Sequence, residues 1–243
     1  MTLAGQTAIV TGGSRGIGRA ICIALAQQGA KVAFCYADDP QAAETLNAIN
    51  TLSEGFAFDC DVSNEDNIDA FFNAAQQALG VATILVNNAG ILKEAPLAQT
   101  DVRDFDRVIA VNLRGAFLAS RAFVRRTTVG RIICIASDLG VLGRENMIAY
   151  CATKGAIISM TRSMAHEFAP DILVNAVAPG SVATDMTKPE TMSAEALAKD
   201  LATPLARFGD PQEIASMVRY LAGPDSTFVT GQCFGVNGGS VMH

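Results

Sequence analysis

The sequence predicts an α/β fold, a doubly wound, seven-stranded parallel sheet with helices on both faces. Three observations carry that expectation. Short apolar runs alternate with stretches of helical apolar spacing along all 243 residues, and strands alternating with helices pair in parallel through right-handed crossovers. Half of the residues are hydrophobic and only 17% are charged, the balance expected of strands covered on both faces. A glycine-rich loop, Thr11–Gly18, joins the first strand to the first helix.

Residues 7–10 (TAIV) form the first strand, and the helical pattern after TGGSRGIG runs until Gly29 ends it. Lys31–Tyr36 (KVAFCY) reads as the second strand, Phe56–Cys60 as the third and Thr83–Asn87 (TILVN) as the fourth, with helical patterns between them. Arg131–Ala136 (RIICIA), Ile172–Ala176 and Cys233–Val236 complete the set, and helices fall near 101–124, 148–168 and 211–222. No repeat or low-complexity linker divides the chain, so residues 1–243 are read as a single domain. Ser181–Arg207 breaks the rhythm, with Thr184, Lys188, Pro189 and Pro204 flanking one short Ala-rich helical pattern. A long excursion of this kind is either a substrate lid or a surface insertion.

Composition excludes several classes of function. A net charge of −6 gives no broad positive field for a phosphate backbone, so nucleic-acid binding is not expected. No run approaches the roughly 18 apolar residues of a membrane span, and MTLAGQTAIVTGG lacks the basic start of a signal peptide, so no membrane association and a cytoplasmic location are expected. The six cysteines are scattered without a CxxC pair, and only His166 and His243 could join them, so no metal site is expected. They read as reduced core residues, Cys151 included, although it neighbours a motif discussed below.

Gly12, Gly16 and Gly18 sit where strand one turns into helix one. Glycine suits a sharp turn and the close approach of a pyrophosphate, and a helix N-terminus offers free N–H groups to the anion. This permits local phosphate binding in an acidic protein, although a structural turn would have the same glycines. Discrimination between dinucleotides falls to the end of the second strand, where an acid favours the ribose hydroxyls of NAD and its absence admits a 2′-phosphate. That place holds Tyr36, while Asp38 and Asp39 follow and would repel a phosphate if the loop folds back. Arg15 in the glycine loop can pair with the 2′-phosphate, which favours NADP(H) over NAD(H).

Tyr150 and Lys154 (YCATK) lie four apart on a predicted helix, on one face with Cβ atoms about 5–6 Å apart. A phenol with a reference pKa near 10 needs a shift of about three units to exchange protons near pH 7. An ammonium beside it acts in that direction, so Lys154 is expected to lower the pKa of Tyr150.

Taken together, these motifs resemble those of the short-chain dehydrogenases/reductases, with their one-domain Rossmann fold, over nearly the whole chain. TGGSRGIG, including Ser14 and Ile17, is similar to the family's cofactor loop, Asp61-Val62 to its adenine contact, and NNAG (Asn87–Gly90) to its motif after strand four. Asn112 matches the helix asparagine, Ser137 precedes Tyr150 by the usual thirteen positions, and PGSVAT (Pro179–Thr184) matches the nicotinamide-side loop. The ending VTGQCFGVNGG is also similar, and its VNGG resembles the 3-oxoacyl-[acyl-carrier-protein] reductases.

The resemblance implies a ketone reductase. Tyr150 would be the general acid/base, Lys154 would lower its pKa and bind the nicotinamide ribose, Ser137 would hydrogen-bond the substrate oxygen, and Asn112 would hold a water in a proton relay. Asn88, Ala89 and Gly90 would line the adenosine ribose; Pro179, Gly180, Val182 and Thr184 would lie on the nicotinamide side. It implies a homotetramer too, with Ile109–Phe123 and Ala156–Met164 as candidate interface stretches. The segment between Asn112 and Ser137 is shorter than usual and lacks the Pro-x-Met stretch, which departs from the family near that interface. Arg125 and Arg126 either receive an acyl carrier protein or complement a helix dipole. The substrate, a small ketone or alcohol or an acyl thioester, stays open, as do an NAD-dependent alcohol or sugar dehydrogenase and a non-catalytic NADP(H) sensor. A serine-protease reading of Ser137 lacks a partner set.

Overall fold

The computed structural model describes residues 2–242. Seven strands make one parallel sheet: β1 (Thr7–Thr11), β2 (Lys31–Tyr36), β3 (Gly55–Asp59), β4 (Ile84–Asn87), β5 (Gly130–Ile135), β6 (Ile172–Pro179) and β7 (Cys233–Val236). The helices are α1 (Gly16–Gln27), α2 (Ala42–Asn50), α3 (Glu65–Leu79), α4 (Val102–Ile109), α5 (Gly115–Val124), α6 (Leu139–Leu142), α7 (Ile148–Phe168), α8 (Ala194–Leu201) and α9 (Pro211–Ala222).

The sheet order β3-β2-β1-β4-β5-β6-β7 places the change of winding direction between β1 and β4, paired as Val10 with Val86. Two crossovers leave in opposite directions there and open a crevice beyond the strand C-termini, where ligands of such sheets bind. Alternation along the strands builds two cores. Ile9, Leu85, Ile132 and Cys134 pack under α3, α5 and α7, with Phe71, Phe72, Phe123 and Ile157. Ala8, Val10, Val86 and Ile133 face the other way, against Ile21 and Leu25 of α1 and Ile214, Val218 and Leu221 of α9.

All seven expected strands are present, and the helical patterns between them are α1 to α3. The expected helix near 101–124 is interrupted. A π-helical turn at Ala110–Arg114 separates α4 from α5, and Asn112 lies inside it, its side chain drawn to the backbone of Ile91. Such turns concentrate at functional sites. β6 continues to Pro179, beyond the expected Ala176, because β7 pairs with its last four residues. Among the described residues, no helix is long and apolar enough to cross a membrane.

Four of the described helices carry side-chain N-caps, and α1, like α2, α5, α6 and α7, does not. Asn64, Asp101 and Ser193 cap α3, α4 and α8, and Asp210 forms a capping box with Glu213 on α9. At α1 the capping position is Arg15, whose side chain makes no cap hydrogen bond, so the first-turn amides keep their capacity for an anion.

Candidate active site

The glycine loop closes on itself so tightly that side chains are excluded. A Cβ on Gly18 would stand 2.0 Å from the Gly12 carbonyl oxygen, and one on Gly12, at φ +67°, would stand 2.9 Å from Ala89 Cα. Asn88 knits the loop to β4, its Nδ2 donating to the carbonyls of Thr11 (3.0 Å) and Gly12 (2.8 Å). Thr11 Oγ1 in turn accepts from the amides of Asn88 and Ala89, at 3.0 and 3.1 Å. The result is an uncapped helix N-terminus facing a cavity of about 580 Å³. Backbone amides and the absence of Cβ atoms suit a pyrophosphate.

Gly12, Ser14, Arg15, Gly16, Ile17, Gly18, Tyr36, Asp61, Val62, Asn88, Ala89, Gly90 and Thr184 all line that cavity. At its adenosine end the loop after β2 does fold back, turning at Asp38 with φ +46°. Asp39 thereby reaches the glycine loop, where its Oδ2 accepts from Ser14 Oγ at 2.7 Å and lies 3.4 Å from Arg15 Nε. Asp185 stands on the other side of the guanidinium, 3.5 Å from Nη1. Arg15, expected to favour a 2′-phosphate, is thus bracketed by two carboxylates. Asp61 is also tied down. Partial burial opposes its charge, but the Ser63 hydroxyl and amide and the Arg107 guanidinium at 3.0 Å together outweigh that and hold its carboxyl below the usual range.

Asn112, Ser137, Tyr150 and Lys154 do not line the cavity, and Asn112 and Lys154 adjoin it at Gly90. A Cβ on Gly90 would be 3.8 Å from Lys154 Nζ and 3.4 Å from Asn112 Oδ1, so the cavity wall and these groups meet there. Lys154 is buried, donates to the Ile135 carbonyl at 2.7 Å, and places Nζ 5.5 Å from the Tyr150 ring centroid. Asn112 spends both amide ends on Ile91, accepting from its N–H (2.8 Å) and donating to its carbonyl (2.9 Å).

The expected lowering of the Tyr150 pKa is reversed. Burial pushes the phenol up to about 12, outweighing the Ser137 hydroxyl beside it, and the Asp138 carboxylate adds to the rise. Burial also pushes Lys154 down to about 8. The spacing argument weighed one ammonium against a solvated phenol; removal of both groups from water is the larger effect.

Three expected residues are more structural than their motif suggests. The Pro179 carbonyl accepts from Asp138 N–H, Gly180 N–H donates to Val236, and the Val182 side chain is buried among the α1/α9 core residues. Burial raises the Cys151 thiol pKa, which makes it a poor nucleophile. Arg126 is held by Asp69, Asn73 and the Ala122 carbonyl, with its guanidinium over Phe72, which leaves Arg125 as the freer cation. The sequence reading missed Arg107, Asp138 and Ser240; no local motif marks them, since each acts on a residue distant in sequence or through a tertiary contact.

Comparisons with known proteins agree with this geometry. The family model described as enoyl-(acyl carrier protein) reductase matches residues 12–241. A 3-oxoacyl-[acyl-carrier-protein] reductase of Synechocystis is 40% identical, over 99% of this chain and 98% of that protein. The 2-(S)-hydroxypropyl-CoM dehydrogenase 3 of Xanthobacter autotrophicus is 38% identical, over 98% of this chain and 97% of its own. A Burkholderia cenocepacia short-chain dehydrogenase, solved in complex with NADP, superposes with a TM-score of 0.94 at 33% identity, covering 98% of this chain and 99% of that one. With the glycine cradle, the winding reversal and the Ser137–Tyr150–Lys154 cluster in place, these matches make the chain a member of the short-chain dehydrogenase/reductase family of oxidoreductases.

Proposed function

We propose that this chain is an NADP(H)-dependent oxidoreductase that reduces a ketone to a secondary alcohol, with a 3-oxoacyl thioester of the acyl-carrier-protein type as its substrate class. The observation that carries the reading is the half-buried Tyr150 under the buried Lys154 ammonium, which meets at Gly90 the wall of a cavity whose other end is an uncapped helix N-terminus. The glycine loop and Asn88–Gly90 would hold the dinucleotide, with Asp61 and Val62 at the adenine and Thr184 near the nicotinamide. When bound, the cofactor supplies a hydride.

The remaining chemistry belongs to this chain. As a carbonyl becomes an alcohol its oxygen gains negative charge and then a proton. A phenol held at about 12 stays protonated throughout the physiological range, yet is a far stronger acid than a secondary alcohol. Tyr150 is therefore a ready donor in the reductive direction. Lys154, largely protonated at pH 7 with its pKa at about 8, would compensate the phenolate left behind. Asn112 would fix Ile91 and Gly90 beside that ammonium; because its side chain is spent on Ile91, a relay water would have to use its backbone carbonyl.

A second reading, NAD(H) in place of NADP(H), is favoured by Asp39, which holds Ser14 and Arg15. A homotetramer through Ile109–Phe123 has the exposed Phe117 on α5 to draw on, although Leu118, Ala119, Ala122 and Phe123 of the same stretch are spent on this chain's own core. The test is absorbance at 340 nm with NADPH and NADH against ketones that include acetoacetyl thioesters. Oxidation of NADPH by a thioester is expected; oxidation with NADH alone would overturn the cofactor assignment. Tyr150→Phe should lose roughly 10³-fold in turnover while still binding cofactor, and retained turnover would remove the phenol from the mechanism.

A further inference from the structure

Asp138, next to Ser137, is a buried carboxylate that no resemblance or motif assigned. It is 8% exposed and, among the described residues, joins no ion pair. Its Oδ1 accepts from Ser137 Oγ at 3.1 Å and its Oδ2 from Ser240 Oγ at 2.6 Å, a short charge-assisted contact. Ser240 arrives from the far end of the chain through a turn that glycine permits. Gly238 and Gly239 have φ of +65° and +89°, and Gly238 accepts from Leu205 N–H at 3.1 Å, binding this turn to the end of the 181–207 segment.

Both bonds run from hydroxyl to carboxyl oxygen, so Asp138 accepts twice. Ser137 has one hydroxyl hydrogen; it is directed to Asp138, and reaches Tyr150 only when that bond is given up. The same oxygen accepts from Leu139 N–H at 3.1 Å. What remains of Ser137 toward the site is a lone pair. Tyr150 beside it keeps its proton, so the two oxygens that would meet the substrate are one donor and one acceptor. An alcohol oxygen matches that pair, donating to Ser137 and accepting from Tyr150. A ketone oxygen can only accept, and must take the Ser137 hydrogen from Asp138 to use both.

We propose that Asp138, pinned by Ser240, is a positioning residue that turns Ser137 into a hydrogen-bond acceptor and makes the site hold the alcohol more tightly than the ketone. The inference rests on the reading of Ser137 and Tyr150 as the oxygen-binding pair and does not depend on turnover. It concerns which member of the reacting couple the ground state favours, and so whether product release or ketone capture limits reduction.

Calorimetric titrations of non-reacting complexes test it: acetoacetyl-CoA with NADP⁺, and racemic 3-hydroxybutyryl-CoA with NADPH, on the full chain. Asp138→Ala should tighten the ketone and weaken the alcohol, moving the ratio of their dissociation constants about tenfold toward the ketone. Ser240→Ala, which leaves Asp138 and its backbone in place, should move the ratio the same way by a smaller factor, with Ser240→Thr restoring it. A change that alters both constants by one factor, or an unchanged ratio in a folded Ser240→Ala variant, would overturn the proposal. Absence of binding of either thioester to the wild type would count against the acyl-thioester reading alone. Butan-2-one and butan-2-ol, which carry little beyond the reacting oxygen, would then decide the role of Asp138 by the same ratio.

Discussion

Around Gly12–Gly18 the chain is held by its own backbone: amides face the cavity, missing Cβ atoms let Gly12 and Gly18 touch, and Asn88 bonds two carbonyls of the loop. Around 181–207 backbone bonds to Gly209 and Gly238 hold the two ends, and side chains fix what lies between. Arg144 and Glu145, in the loop before α7, pair with Asp200 and Lys199 on α8, and Thr187 Oγ1 ties the start of the segment to Val182. A backbone cradle has one conformation and tolerates little change. A segment held in part by ion pairs can be released by altering single groups.

The largest expected effect is on the backbone side. Gly18→Ala puts a Cβ 2.0 Å from the Gly12 carbonyl, which must move and take the cradle with it. Cofactor affinity should fall at least a hundredfold, measured by NADPH fluorescence titration. Gly16→Ala, by contrast, meets nothing closer than Thr184 Cγ2 at 3.4 Å and suffers only its φ of +54°, so about 1 kcal/mol is expected. Equal losses would show that strain, and not the close approach, governs this loop.

On the side-chain side, Arg144→Ala leaves Asp200, 7% exposed, as a buried charge without its partner. Breaking such a pair costs about 3–5 kcal/mol, enough to detach α8 locally. Hydrogen exchange or limited proteolysis within 181–207 should report it while cofactor binding holds. Lys199→Ala removes two solvent-exposed pairs, to Glu145 and Glu195, and should leave both readouts unchanged. If Lys199→Ala opens the segment as much as Arg144→Ala, burial is not what fixes α8.

Between the two regions lies Lys154, whose burial acts against stability. Its proton leaves near pH 8 in the native state and near 10.5 in a solvated lysine, so below pH 8 folding must bury a charge at full cost. That penalty shrinks as pH rises from 8 to 10.5. Lys154→Met should therefore be more stable than wild type at pH 7, by about 2 kcal/mol after loss of the bond to Ile135, with the gain fading by pH 10.5. Urea denaturation at the two pH values checks the sign. A destabilised variant at pH 7 would mean that the ammonium is better satisfied than its burial implies.

How much of this was legible in the sequence follows the same division. Gly12, Gly16 and Gly18 announce themselves because backbone geometry restricts residue type, and strand alternation followed from apolar runs that the two cores then required. The π-helical turn at Asn112 did not, since the apolar spacing is helical on both sides of it and no residue type marks the wider turn. Nor did the reversed pKa of Tyr150, because burial is a property of the packed molecule and not of an i,i+4 pair. Asp138 and Ser240 are 102 positions apart, and a hydroxyl meeting a carboxylate at that separation leaves no local pattern.

Asp39 joins the two regimes, for it is a side chain placed inside the backbone cradle. Its carboxylate accepts from Ser14 Oγ and faces Arg15 Nε, the groups that a 2′-phosphate would need, and Gln41 N–H at 3.0 Å fixes its other oxygen. A dinucleotide carrying that phosphate must displace Asp39 or share Arg15 with it, whereas one with a free ribose hydroxyl can donate to it. Asp39→Asn keeps the shape and removes the charge, so it should tighten NADPH about tenfold, or roughly 1.4 kcal/mol, and change NADH little. Arg15→Ala should weaken NADPH more than NADH. Fluorescence titration of both nucleotides against both variants separates the cases: equal effects on the two cofactors would mean that neither Asp39 nor Arg15 meets the 2′ position, and the cradle would then bind by its backbone alone.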